Sequence, residues 1–124
     1  MAGDLSDAAE ALVRQWLFSD SAISRPSGWF LALYTSPPSD AGGGTELSGA
    51  GYARQAISFD AGGAANDAEI VFGPASGDWG TITHAAIFDD AGRFLAWAGL
   101  AAEKIVPTGD SLRFPAGALT AAFD

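Results

Sequence analysis

Apolar residues recur at three- and four-residue intervals near the start of the chain, at Leu5, Ala9, Leu12, Val13, Trp16 and Leu17. That spacing predicts one amphipathic helix of about four turns, capped by Asp4 or Ser6, with Asp7 and Glu10 well placed in its first turn. Pro26 disfavours helical geometry at Arg25 and Gly28 follows, so the helix ends by Ser24. From Trp29 onward the period shortens to two. Short alternating runs, divided by Gly, Pro, Asp and Asn, predict strands at Trp29–Tyr34, Tyr52–Phe59, Glu69–Phe72, Thr81–Phe88, Phe94–Leu100, Lys104–Val106, Ser111–Phe114 and Leu119–Phe123. The turn Asp89–Gly92 joins two of them at hairpin length, with Gly92 free to take a positive φ. The glycine-rich stretches Ser39–Gly51 and Ala61–Asn66 read as long loops.

This pattern predicts a mainly β fold, an antiparallel β-sandwich of jelly-roll-like type with one N-terminal amphipathic α-helix. The 124 residues fit a single domain, residues 1–24 forming the helix and its linker and residues 25–124 the sandwich. The helix is expected to pack through Leu12, Val13, Trp16 and Leu17 onto a sandwich, its own or a neighbour's. Trp29, Leu31, Ile57, Phe72, Ile87 and Leu112 are expected in the core. On that reading a buried Trp16 ring would make Trp16→Ala cost about 3–5 kcal/mol.

Charge and composition narrow the function. A net charge of −9 argues against nucleic acid as a partner, because phosphate binding draws on clustered Lys and Arg and the six here are scattered. The chain has no cysteine, which removes disulfides and thiolate metal sites. No apolar run approaches a membrane span and no basic cluster opens the chain, so the expectation is a soluble, unprocessed protein without a membrane partner. Charged residues make up 17% of the chain, against about 25% in ordinary soluble domains, while 48% are hydrophobic. Many of those are alanines, yet the balance still points to surface covered by partners.

Several strings imitate catalytic motifs. Gly109-Asp110-Ser111-Leu112 spells the GDSL string of a serine hydrolase family, but it runs into a strand and no histidine follows it, so a β-turn explains it. The glycines Gly42–Gly44 lack the lysine of a phosphate-binding loop. Asp60, Asp78, Asp89, Asp90 and Asp110 follow no calcium-loop spacing, and no metal or cofactor is expected. His84 is the single histidine, placed by alternation on one strand face with Ile82, Ala86 and Phe88. A Ser111–His84–Asp set can be written on paper, but a triad is recognised by geometry. The imidazole therefore reads as a sheet-surface or contact residue. Tyr52 and Trp79 are amphipathic anchors whose OH and NH can reach partners from buried rings. Arg54 can pair with a carboxylate or stack on a ring, within the fold or across a subunit boundary. With Trp16 and His84, these are the candidate interface or structural residues; no catalytic residue is assigned.

Three strings occur in order: Gly51-Tyr52-Ala53-Arg54, then Trp79 through Asp89, then Lys104 with Gly109 through Leu119. They resemble a family of small tailed-bacteriophage virion proteins commonly labelled tail fiber or minor structural proteins. The resemblance implies a β-rich phage structural protein without enzymatic activity, made in the host cytoplasm and placed in the virion, and carries over no catalytic or ligand-binding residue. A chain of this length without coiled-coil heptads or a repetitive shaft cannot form a long fiber alone. The reading favoured from sequence is therefore a capsid cement or decoration protein on the capsid surface, binding coat subunits as a homotrimer. The alternative is a tail fiber or tail-tip module that contributes to host receptor binding.

Overall fold

The computed structural model describes residues 2–121. Strand β1 (Ala2–Leu5) leads into helix α1 (Asp7–Phe18), and eight strands follow: β2 (Trp29–Ser36), β3 (Thr45–Glu46), β4 (Gln55–Ile57), β5 (Ile70–Phe72), β6 (Gly80–Asp89), β7 (Phe94–Val106), β8 (Leu112–Phe114) and β9 (Thr120–Ala121). A seven-stranded sheet runs in the order β3-β2-β6-β7-β1-β9, with β4 also paired to β2; β5 and β8 form a separate two-stranded sheet. All pairings are antiparallel except β1 with β9. The fold is thus a mainly β, antiparallel sandwich with unequal layers and one helix near the N-terminus.

The core lies where the small sheet covers one face of the large one. Leu31 and Leu33 from β2, Ile82 and Ala85 from β6, Ile70 and Phe72 from β5, and Leu112 and Phe114 from β8 are all buried in one cluster. Trp29 and Ile87 pack against it partly exposed. On the opposite face of the large sheet, Ala32, Tyr34, Ala86 and Phe88 form a second buried patch bordered by Phe94 and Trp97. A sheet apolar on both faces needs cover on both, and loops and α1 supply part of the second cover.

Several features of strand arrangement depart from the alternation read along the chain. The segments expected as two strands, Phe94–Leu100 and Lys104–Val106, are one strand of 13 residues. Its register against β6 shifts between Ile82 and His84, where Ile82 faces Lys104 but His84 faces Gly99. That bulge changes the parity of β6. Ile82 therefore points into the core with Ala85, while His84 shares the other face with Ala86 and Phe88, so the single face expected for Ile82, His84, Ala86 and Phe88 is corrected. Strand β4 keeps only Gln55–Ile57 of the expected Tyr52–Phe59. The stretch expected as a loop, Ser39–Gly51, contains β3 and the buried Leu47. Of the last expected strand, Leu119–Phe123, Thr120 and Ala121 are paired and residues 122–123 lie outside the described residues.

The helix begins at Ser6, not Asp4, because Ala2–Leu5 extends the sheet beside β7. Ser6 Oγ accepts the Ala9 amide at 3.1 Å and donates to the Phe94 carbonyl. The Ser6 and Asp7 amides donate to Leu95 and Asp40 carbonyls, each at 2.8 Å. The first turn is therefore tied to the sheet. The rest is not: of the helix residues only Ala9 is buried, and the helix ends at a Ser19 cap, before Ser24 as expected.

Candidate interaction surface

The twelve residues of α1 span roughly 18 Å at 1.5 Å per residue, and the distal half overhangs the sandwich. Trp16 is 69% exposed, Leu17 55% and Phe18 82%. The expected docking of Trp16 and Leu17 on the chain's own sandwich is thereby corrected. Locking of the first turn by Ser6 and Asp7 sets the direction of the helix, and a 12-residue rod held at one end carries its other end clear of the sheet. The linker then folds back beside it, and its far end is tied to the β6–β7 turn by Asp90, whose amide donates to Gly28 O at 3.0 Å. Between helix and linker lies an open apolar groove of about 300 Å³, lined by Leu12, Val13, Trp16, Ile23 and Pro26, with Arg25 beside them. In the isolated subunit, Trp16→Ala is therefore expected to change unfolding free energy by less than about 1 kcal/mol, read as a nearly unmoved urea midpoint.

Tyr52, Arg54 and Trp79 come together elsewhere, at the edge of β2 between β3 and β4. Tyr52 stacks on Phe72 and meets Trp79 edge-on, with centroids 6.2 and 6.0 Å apart. Its hydroxyl accepts the Leu33 amide at 3.0 Å and donates to Glu46 at 2.7 Å. The ring thus fills the gap in the ladder that β3 and β4 leave along β2, which explains why β4 starts only at Gln55. Arg54 makes a two-pronged pair with Glu46, at 2.9 and 2.7 Å, and lies 3.8 Å over the Phe88 ring. Burial would raise the Glu46 pKa, but hydrogen bonds from Arg54 and Tyr52 and the charge of Arg54 outweigh it and hold the carboxyl below its usual range. Burial, reinforced by the bond to Glu46, pushes the Tyr52 phenol well above its ordinary value. Trp79 is 3% exposed and donates its indole NH to the Ala50 carbonyl at 2.8 Å. All three side chains are engaged inside the subunit. Tyr52→Phe leaves the Leu33 amide without its partner and is expected to cost about 1–2 kcal/mol in chemical denaturation.

His84 stands on the outer face of the large sheet, its Nδ1 2.8 Å from Thr83 Oγ1 and its ring 6.1 Å from that of Trp97. The Trp97 indole donates to Asp40 at 2.8 Å, so the nearest carboxylate contact in this cluster belongs to tryptophan. Ser111 lies beside β8, in the layer on the other side of the large sheet, and the structure does not bring Ser111 and His84 together. The GDSL string begins in a turn, with Asp110 N bonded to Pro107 O and Gly109 at φ +89°, and enters β8 at Leu112. Among the described residues no group of three or more His, Cys, Asp or Glu side chains is placed to hold a metal ion, and no helix is long and apolar enough to cross a membrane.

Sequence reasoning singled out Trp16 and Leu17 but missed Phe18, which lies off the helical stripe and is the most exposed of the three. The signal was present in three consecutive large apolar residues at a helix end. A second cleft, of about 550 Å³, opens between Arg25, Trp29, Phe59 and the turn Asp60–Gly63. The model of a family described as podophage GP4 fiber I protein gp80 matches residues 4–122. No curated protein matches the chain.

Proposed function

The chain belongs to the podophage GP4 fiber I protein family, and from that membership we propose that it is a non-enzymatic building block of the tail fiber apparatus, held in the virion by protein–protein contacts. The observation that carries this reading is the projecting end of α1. A small sandwich that anchors one end of a helix and presents Trp16, Leu17 and Phe18 to solvent has an attachment arm, since contiguous apolar surface of this kind marks contact sites. Its partners are tail proteins and further copies of itself; the net charge of −9 keeps it off nucleic acid. The family description supports the tail over the capsid surface, so the cement role favoured by composition and size gives way to the fiber module.

Antibody labelling in electron microscopy tests the location. Gold confined to the tail is expected, and dense labelling over the head would return the protein to the capsid. His84→Asn is expected to leave infectivity and fold unchanged, since among the described residues the imidazole hydrogen-bonds only to the neighbouring Thr83 of its own strand. An ester or glycoside turned over by the wild type and not by this variant would overturn the non-enzymatic reading. The cleft at Arg25, Trp29 and Asp60 favours a second role in receptor contact, because ring edges beside a cation and a carboxylate suit a polar ligand. Saturable binding of the isolated protein to host cells, weakened by Asp60→Ala, is the expected sign of it.

A further inference from the structure

We propose that the cleft at Arg25, Trp29, Phe59 and Asp60 is a saccharide-binding site that holds a neutral, hydroxyl-rich sugar without cleaving it. The inference deepens the receptor-contact reading of the same cleft and rests on it for its biological setting. Two half-buried rings give the cleft its apolar part. Trp29 and Phe59 pack against the core and also line the cleft, with ring planes at 87° and centroids 5.6 Å apart. Perpendicular rings make a corner with apolar walls, against which the C–H face of a pyranose can lie. The corner is built before a ligand arrives. Trp29 opens β2 and pairs with Ile57 in β4 and Asp89 in β6, and Phe59 is bridged to Asn66 across the turn that follows it. A site already ordered keeps more of its contact energy for the ligand.

The polar part is fixed in the same way. The Asp60 amide donates to the Ala65 carbonyl at 2.8 Å, and the Asp60 carbonyl accepts the Gly63 amide at 2.9 Å. Its carboxylate accepts the Ala64 amide through Oδ1 at 2.9 Å, while Oδ2 has no partner among the described residues. The amides of Ala61 and Gly62 have none there either, and Arg25 forms no ion pair. The apolar corner is thus ringed by one charged acceptor and several donors: the carboxylate takes hydroxyl protons, and the guanidinium and amides donate to hydroxyl oxygens. That set chooses the class of ligand. An anion drawn to Arg25 meets Asp60 on a chain of net charge −9, and a cation drawn to Asp60 meets Arg25. A purely apolar ligand would strip water from these groups and replace none of its hydrogen bonds. A neutral sugar, donor and acceptor at every hydroxyl, satisfies both charges. The volume of about 550 Å³ falls among small-molecule clefts of about 300–1,000 Å³. Among the described residues that line it Asp60 is the one carboxylate, whereas glycoside hydrolysis works with a pair, so the site binds and does not cut.

The test is binding of the full chain to a panel of immobilised oligosaccharides, neutral, carboxylated and sulfated, with phosphocholine as a zwitterionic control. Saturable binding to neutral members is expected. Asp60→Asn, which keeps an oxygen for the Ala64 amide, is expected to weaken it at least tenfold, as is Phe59→Leu, which keeps apolar bulk without a ring. Asp60 is exposed, so Asp60→Asn should leave the urea midpoint unmoved, and its loss of binding then reports on the site and not on the fold. A wild type that binds no neutral member, prefers sulfated sugars or phosphocholine, binds equally well after Asp60→Asn, or releases a cut sugar would overturn the inference. Host-cell binding that falls with Asp60→Ala while no neutral sugar is bound would remove the sugar and leave the receptor reading standing. Neutral-sugar binding by a chain that host cells do not retain would keep the site and remove the receptor reading.

Discussion

Replacing Phe72 with alanine is expected to remove about 3–5 kcal/mol of stability, the largest effect of any single substitution considered for this chain. Phe72 is fully buried on β5, between the two layers. It stacks on Tyr52 and meets Phe114 edge-on, with centroids 6.2 and 6.0 Å apart. The small sheet has only two three-residue strands, so its place over the large sheet depends on side chains, not on shared strand pairing. Truncation leaves a cavity lined by rings that cannot collapse into it. A domain of this kind has on the order of 5–15 kcal/mol to lose, so the variant should populate unfolded or loosened chains under mild denaturant. The check is a urea titration followed by near-ultraviolet circular dichroism. A midpoint within error of wild type would show that the small sheet does not need this ring.

Asp89→Ala is expected to cost about 2–3 kcal/mol through lost hydrogen bonds to a charged group. Asp89 closes the β6–β7 hairpin and is 2% exposed. Its carboxylate accepts the Ala91 and Arg93 amides at 3.0 and 2.8 Å and pairs with the Arg93 guanidinium. Burial raises its pKa, but the Arg93 amide, the Arg93 side chain and the amide of Ala91 together lower it below the ordinary aspartate value. The sign of the pH dependence follows. A carboxyl whose pKa is depressed on folding adds stability above its unfolded value of about 4, and that stability is lost as pH falls through the folded value. Glu46 acts in the same direction. Wild type should therefore lose unfolding free energy progressively below about pH 4, and Asp89→Asn should flatten part of that slope. A variant with the full wild-type acid slope would exclude Asp89 as a source of it.

Most of the strand series, the hairpin turn at Asp89–Gly92 and the single N-terminal helix were legible in the chain, because each depends on local physics. Period-two alternation, a glycine at positive φ (+84° at Gly92) and a serine that caps a helix act within a few residues. Most of the expected core residues were legible for the same reason: Leu31, Ile57, Phe72 and Leu112 sit on alternating apolar positions and are buried.

What only the tertiary structure decided depends on residues far apart. Ala101, Ala102 and Glu103 are poor strand formers, yet β7 runs through them because β6 holds its register on both sides. The bulge there turns His84 to the opposite face from Ile82, and no local pattern announces a parity change. Strand β1, four residues including a glycine and an aspartate, forms because β7 offers an unpaired edge. Tyr52 delays the start of β4 to Gln55 because its hydroxyl satisfies a backbone amide 19 residues away. Helix α1 shows the same division most plainly. Its amphipathic stripe is written in the spacing of Ala9, Leu12, Val13, Trp16 and Leu17, since side-chain periodicity is local, while Leu5, at the head of the same pattern, pairs in β1. Which part of that stripe is buried was decided by where Ser6 and Asp7 bond to β7 and the Asp40 loop, since those bonds aim the rod so that its last turn clears the sheet.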